Sequence, residues 1–215
     1  MSEVQAIIEK IHTVFGENAY PGDAYLLGSI EGCEPYDEVA PFQGKEDWKA
    51  IDAGFLDAHA SALSFFSEAG FRFFLPAFLV ADLQNKLSVA DPLFSLTHGF
   101  SEVDVEVPTI DGVFLIRSGK SALVNPRRYG AATFFDYARY RLSVFTREEA
   151  AAIVLYLRYK RDSDGSGIEK DRIGAALDLF WLDRARAAPS SADLKREIAR
   201  QAKYLAAIEG RGAEL

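Results

Sequence analysis

Hydrophobic residues recur at helical spacing over most of this chain. In the first segment they occupy positions 4, 7, 8, 11 and 15, and Gly16 follows where a helix would end. The same three- and four-residue spacing predicts further helices over residues 55–66, 67–83, 92–96, 132–142, 147–160, 168–185 and 191–208. The predicted fold class is therefore mainly α, formally α+β because of one minor β-hairpin, arranged as a compact multi-helix bundle.

The hairpin is predicted near residues 102–117. Valines alternate there with acidic residues, and Asp111-Gly112 separates them from the run Val113 to Ile116. Alternation interrupted by Asp-Gly is typical of two antiparallel strands joined by a tight turn. Because an isolated hairpin is only marginally stable in water, we expect this one to lie against the helical body.

Local signals mark where several helices begin. Thr146 with Glu149 three residues later forms a capping box, which predicts a helix start at residue 147. Ser67 and the pair Asp91-Pro92 are typical of two other helix starts. Pro76 leaves two possibilities open, a kink or break within one helix, or the first turn of a new helix.

Prolines and glycines divide the rest of the chain. Residues 17–45 contain Pro21, Pro35 and Pro41 with four glycines, so we expect mostly loop there, with one short element near residues 24–30. Pro189 and two serines form a linker before the last helix. The chain is therefore expected to form one helical domain over residues 1–186 and an appended C-terminal helix over residues 187–215.

Composition favours a cytoplasmic protein that does not enter a membrane. The single cysteine, Cys33, cannot form an internal disulfide, which fits a reducing compartment. The N-terminus lacks the basic start and apolar run of a signal peptide. The longest apolar run, residues 71–81, contains Arg72 and Pro76 and is shorter than the roughly 20 residues that a membrane span needs.

Charge is unevenly distributed along the chain. Residues 1–111 contain 19 acids and 5 bases, a net of −14, whereas residues 112–215 contain 13 acids and 19 bases, a net of +6, giving −8 in total. The two halves could pack with complementary fields, or the acidic half could form a face that attracts a basic protein. The acidic balance argues against a nucleic-acid partner.

Two segments only partly match known ligand-binding motifs. In residues 162–173 a calcium loop would need a glutamate at its twelfth position, where Ile173 stands. Residues 118–121 end like a phosphate-binding loop, but Phe114 replaces the required glycine. We therefore expect no metal and no cofactor.

Four residues remain as candidates for a ligand site, chosen by their chemistry. His59 can exchange protons near neutral pH, and Arg72, Arg128 and Tyr129 can bind an anion. The three histidines do not show metal-ligand spacing, and no nucleophile partner is visible in the sequence. Arg72 lies in an apolar helix, so its guanidinium must be paired or must extend to the surface.

The order of several apolar runs is similar to that of a known family. The chain contains Trp48, then ALSFF at residues 62–66, FRFFLPAF at residues 71–78 and the 177–181 segment ending in Trp181. This pattern resembles an uncharacterised bacterial domain-of-unknown-function family over residues 3–182. The resemblance implies no activity, cofactor or catalytic residue.

Three functional hypotheses follow. The first is a non-enzymatic protein-binding module with an acidic surface, similar in mode to an immunity protein. The second is an enzyme or small-ligand binder with a site around Arg72, His59 and Arg128. The third is a homo-oligomeric structural module that uses the C-terminal helix as its contact.

Overall fold

The structure is a computed structural model that describes residues 2–29, 32–101, 104–110, 112–117, 133–163 and 167–212. The α-helices, labelled in chain order, are α1 (Glu3–Phe15), α2 (Glu34–Val39), α3 (Ala53–Ala58), α4 (Ala62–Phe65), α5 (Glu68–Leu83), α6 (Pro92–Thr97), α7 (Phe134–Leu142), α8 (Arg147–Ser163), α9 (Gly167–Ala176), α10 (Leu182–Ala187) and α11 (Ser191–Gly212). Short 3₁₀ turns cover Asp23–Tyr25, Ala40–Phe42 and Trp48–Ala50. The mainly α prediction is confirmed.

Three long helices form the centre of the fold. Helix α1 packs against both α5 and α8, and α8 also contacts α9 and α10. Helix α5 is buried along most of its length, and its aromatic and aliphatic side chains dominate the core: Phe71, Phe73, Phe74, Leu75, Phe78 and Leu79. Rings from other segments meet them, because Phe42 lies 4.9 Å from Phe74 and Phe145 lies 5.9 Å from Phe71, measured between ring centroids.

Pro76 lies inside α5, which continues without interruption from Glu68 to Leu83. The possibility that Pro76 begins a new helix is therefore wrong. A proline inside a helix costs about 3 kcal/mol, and each fully buried Phe or Leu stabilises the fold by about 1.5–3 kcal/mol. Burial of the side chains on both sides of Pro76 outweighs that cost.

The predicted helix over residues 55–66 is two helices, α3 and α4, and the prediction of one continuous helix is wrong. The chain leaves helical geometry at His59, with φ −123° and ψ 49°. Helix α3 packs on α5, whereas α4 packs on α2 and α6. The break lets each short helix turn its buried leucine, Leu56 or Leu63, towards different neighbours.

Residues 17–45 were expected to be mostly loop, but they also contain helix α2, which the sequence pattern did not predict. Pro35 stands in the first turn of α2, where its missing N–H costs nothing, and both Pro35 and Val39 are buried. The segment before α2 runs beside the end of α4, since Gly28 N–H donates to Phe65 O at 2.7 Å. A Cβ atom at Gly28 would lie 2.4 Å from Phe66 O, so this close approach requires glycine.

The remaining described segments follow the sequence pattern with one exception. Strands β1 (Asp104–Thr109) and β2 (Gly112–Arg117) pair antiparallel, with Val107 opposite Phe114. The expected helix over residues 168–185 is continuous from α9 to α10, but residues Leu177–Trp181 form a π-helical turn. This turn buries the consecutive residues Phe180 and Trp181, and Trp181 Nε1 donates to Leu96 O at 2.9 Å. In the described part of the chain, no helix is both long and apolar enough to span a membrane.

Asp57 of α3 holds the loop between α5 and α6. Its carboxylate accepts backbone hydrogen bonds from Ser88 at 2.7 Å, Val89 at 3.1 Å and Ala90 at 3.0 Å. The Ala90 N–H, together with those of Ser88 and Val89, lowers the pKa of the Asp57 carboxyl from its ordinary value. The ionised form therefore stabilises the folded state.

We predict that Asp57→Asn lowers the free energy of unfolding by about 1–2 kcal/mol at pH 7, because a charge-assisted acceptor for three N–H groups is lost. Since folding lowers this pKa, the Asp57 contribution is complete above an unfolded-state pKa of about 3.9 and disappears as pH falls through the lower folded value. Urea unfolding should show a smaller difference in the free energy of unfolding between the two proteins at pH 3 than at pH 7. If the free energies of unfolding of the two proteins differed by the same amount at pH 7 and pH 3, the proposed role of the Asp57 charge would be contradicted.

Candidate functional site

Among the described residues, an extensive buried polar cluster joins α5 to α8 through Arg72 and Glu149. Glu149 is fully buried, whereas the Arg72 side chain keeps 21% of its surface exposed. Arg72 Nε donates to both carboxylate oxygens of Glu149 at 3.1 and 3.0 Å, and Arg72 Nη2 donates to Glu149 Oε1 at 2.9 Å. The expectation that Arg72 is paired is confirmed.

Two further groups complete the surroundings of Glu149. Asn18 Nδ2 donates to Glu149 Oε1 at 2.7 Å, and Asn18 Oδ1 accepts from Arg72 Nη2 at 3.3 Å. The Thr146 N–H donates to Glu149 Oε2 at 2.8 Å, and Glu149 N–H donates to Thr146 Oγ1 at 3.4 Å. These last two contacts are the predicted capping box, so one carboxylate both starts α8 and neutralises Arg72.

Glu149 is therefore saturated by groups of the protein itself. Each of its oxygens accepts from Arg72 and from one other donor, which leaves little capacity for a ligand. Such a group is well suited to fixing helix positions and poorly suited to proton transfer, which requires access to a substrate. Sequence reasoning identified Arg72 and the capping box separately, but it missed that they share Glu149.

A cleft of about 600 Å³ opens beside this cluster. Its walls come from α1, the segment after α1, α5, the turn before α8, and the first two turns of α11. The cleft is lined by both apolar and polar residues. The larger apolar ones are Val14, Phe73, Val144, Leu194 and Ile198, and the polar ones include Lys10, Glu17, Asn18, Arg72, Glu148 and Lys195. The Lys195 ammonium and the Glu17 carboxylate pair at 2.8 Å between α11 and α1.

The other predicted site residues are not brought to Arg72 by the contacts described. The His59 ring lies 4.8 Å from the ring of Phe55 and 6.0 Å from that of Phe42, between centroids. His59 thus belongs to the aromatic core, in a partly buried position. Arg128 and Tyr129 lie outside the described residues, so the proposed site that unites them with Arg72 and His59 stays a prediction.

The remaining histidines also pack against rings. His12 stacks on Trp48 at 5.1 Å, and burial together with Lys49 lowers the His12 pKa. His98 stacks on Phe94 at 4.6 Å, and burial together with Arg172 lowers the His98 pKa. Both imidazoles are therefore held towards the neutral form at neutral pH.

A second polar cluster joins the far ends of α5 and α8. The buried Tyr156 hydroxyl donates to Asp82 Oδ2 at 2.7 Å, and the Lys160 ammonium lies 3.3 Å from the same oxygen. Burial and the nearby Asp82 charge raise the Tyr156 pKa well above its ordinary value. This phenol stays protonated at physiological pH, so the cluster acts as a second link between the two helices.

The acidic segment presents two exposed tyrosines. Residues 17–57 contain ten acids and two bases, and within them Tyr25 is 68% exposed and Tyr36 is 61% exposed. Asp23, Glu34 and Asp37 beside them are exposed as well. We call these five residues the acidic surface.

Neighbouring elements hold the two halves of the acidic surface. Tyr25 O accepts a hydrogen bond from the Ser67 hydroxyl, and the Ser67 N–H donates to Leu26 O at 2.7 Å. Helix α2, which carries Tyr36, packs on α4. Both tyrosines are therefore attached to the same stretch of chain, residues 62–67.

The structure describes the two ligand motifs of the sequence only in part. Within the described ranges, no three His, Cys, Asp or Glu side chains are grouped so as to hold a metal ion. Residues 164–166 of the calcium-like segment, and the whole phosphate-loop-like segment 118–121, lie outside the described residues.

Comparison with known proteins leaves the chain without an identified relative: no protein-family model matches it, and no significant match was found among curated proteins or solved structures. The resemblance to an uncharacterised bacterial family stays a prediction. Any functional proposal must therefore come from the chain's own surfaces and contacts.

We predict that Glu149→Leu lowers the free energy of unfolding by about 3–5 kcal/mol, because it leaves the partly buried Arg72 charge without its counter-ion. The double variant Arg72→Leu/Glu149→Leu should be more stable than Glu149→Leu alone, since no unpaired charge remains. Chemical denaturation measures both. Glu148→Leu is the matched control, because Glu148 is the neighbouring acid and is more exposed. It should lower the free energy of unfolding by less than Glu149→Leu does. Equal losses for Glu148→Leu and Glu149→Leu would contradict the assignment.

Proposed function

We propose that this protein is a non-enzymatic protein-binding module whose acidic surface binds a basic protein partner, in the way that an immunity protein covers a toxin. The observation that carries the proposal is the exposure of Tyr25 and Tyr36 among the acids of residues 17–57. A cytoplasmic setting agrees with the single free cysteine, Cys33.

Tyrosine and acid have complementary roles at such an interface. Tyrosines are enriched among the few residues that provide most of the binding energy, because they bury a large rigid ring and keep a polar tip. Surface acids speed up encounter with a basic partner and disfavour acidic ones. Acids also repel phosphate groups, so nucleic acid is not a favoured partner.

An enzyme or small-ligand binder around Arg72, His59 and Arg128 is the less supported alternative. Arg72 and Glu149 satisfy each other, and His59 packs between phenylalanine rings. These contacts favour structural roles for both residues. The third hypothesis, self-association through the last helix, rests on a different surface and is compatible with the first.

We expect tagged protein, captured from a lysate of its own host at low salt, to retain one basic protein at fixed stoichiometry. The double variant Tyr25→Ala/Tyr36→Ala should weaken that complex by at least about 30-fold, the effect of losing roughly 2 kcal/mol of interface energy. Native mass spectrometry identifies the complex, and titration calorimetry with the purified partner gives the affinity.

Tyr140→Ala is the matched control, because Tyr140 is 64% exposed but lies on α7 between Arg139 and Arg141. It should bind like the unmodified protein. The proposal fails if no stoichiometric protein is retained, or if the Tyr140 variant and the double variant bind equally well. Raising the salt concentration should weaken the complex, since solvent-exposed charges are screened.

A further inference from the structure

Helix α11 is attached to the rest of the protein near its start. Among the described residues, the hydrogen bonds and ion pairs between α11 and the body all lie in its first two turns. Ser191 N–H donates to Glu148 Oε2 at 3.0 Å, and Lys195 pairs with Glu17. The Ser190 hydroxyl and Asp193 cap the helix start, with 2.6 Å between their oxygens. The second half of this 22-residue helix extends beyond these contacts.

Helix α11 exposes large apolar side chains in both of its halves. Ile198 and Leu205 are each 57% exposed, and Tyr204 is 69% exposed. Leu194, Ile198, Gln201 and Leu205 follow one another at intervals of four, three and four residues. This alternation is the spacing of a coiled-coil seam and is narrower than the apolar stripe of a helix packed on a globular core.

The start of this seam also lines the cleft beside Arg72. Leu194 and Ile198 form one wall and Val14 of α1 lies in another. The apolar side chains that line part of this mixed cleft can contact the apolar edge of a further helix. The chain thus carries both an exposed seam and a groove that can receive one.

We propose that two copies of this chain form a symmetric dimer, in which the second half of each α11 lies antiparallel along the other α11 and covers the other copy's cleft. A two-fold interface requires a surface that complements itself, and the seam together with the cleft provides one. In a parallel pair, the first halves of the two α11 helices, which are attached to the rest of each chain, would lie side by side. The two helical bodies would then meet at the same end of the helix pair. The antiparallel pair separates the bodies and uses the exposed half of each helix.

Gln201 fits this arrangement. It occupies a seam position midway between Ile198 and Leu205, and it is exposed in the single chain. The two-fold axis of the antiparallel pair passes near this residue, so the two amides can hydrogen-bond to each other. A single polar residue in a seam fixes the register of the pair at some cost in stability.

Sedimentation equilibrium of the full chain should give twice the 23.7 kDa monomer mass at micromolar concentration. Ile198→Asp/Leu205→Asp should weaken the dimer by at least about 100-fold, because four buried aliphatic side chains per dimer are replaced by charges. Ala199→Asp/Ala206→Asp adds the same charges at the same seven-residue interval on an exposed face outside the seam, and it should stay dimeric.

Circular dichroism checks that every variant is folded. Because the substituted side chains are exposed, the body should fold in each case. The dimer proposal is overturned if the unmodified chain is monomeric, or if both double variants dimerise equally well. Neither result tests the acidic-surface proposal, because that proposal depends on Tyr25 and Tyr36.

The relative orientation of the two α11 helices is tested by the variant Val14→Cys/Leu205→Cys, made in a Cys33→Ser background. In the antiparallel dimer, the cysteine at position 14 of one copy can form a disulfide with that at position 205 of the other. Leu205 lies two turns, about 10 Å, beyond Ile198, the last α11 residue that lines the cleft. A bond within one chain would need Cα atoms closer than about 7 Å. We expect a covalent dimer from the pair of cysteines and none from Leu205→Cys alone. Efficient crosslinking of Leu205→Cys to itself would instead indicate a parallel seam and overturn the antiparallel arrangement.

Discussion

A carboxylate that is wholly shielded from water has to be satisfied by the protein, since an unpaired buried charge costs several kcal/mol. Glu149 is in this position, and its donors come from three separate parts of the chain: Arg72 in α5, Asn18 after α1, and the backbone before α8. All three must arrive together for the charge to be tolerated. The relative placement of α1, α5 and α8 therefore depends on this one side chain.

Aromatic side chains pack together the elements that surround the Glu149 cluster. Phe145 directly precedes the capping box and contacts Phe15, Phe71 and Trp181, one ring from each of the segments that meet there. Arg184 stabilises the same turn by donating to Phe145 O at 2.9 Å. Rings provide the non-directional attraction, whereas the charged hydrogen bonds determine which helix surfaces face each other.

With these polar groups used internally, two surfaces stand out among the described residues. The acidic surface carries Tyr25 and Tyr36 and lies on the segments that pack around residues 62–67. The seam of α11 is apolar, narrow and extended. An acidic aromatic surface suits a different protein with a basic face, and a self-complementary seam suits a second copy of the same chain. The two surfaces involve different residues, so a dimer could present two acidic surfaces at once.

Patterns within a few turns of chain were enough to predict much of the architecture. Helices α1, α5 and α8, the last helix, the capping box at Thr146 and the Asp91 cap all follow from local periodicity and capping chemistry. What the sequence alone did not determine was long-range. The break at His59, the continuity of α5 through Pro76, the π turn before α10 and the choice of Glu149 as partner for Arg72 depend on residues distant in sequence. Helix propensities differ by less than about 1 kcal/mol per residue, apart from about 3 kcal/mol for proline, and burial of one large apolar side chain contributes about 1.5–3 kcal/mol. Packing against distant segments can therefore override local preference, so only the tertiary structure could decide these points.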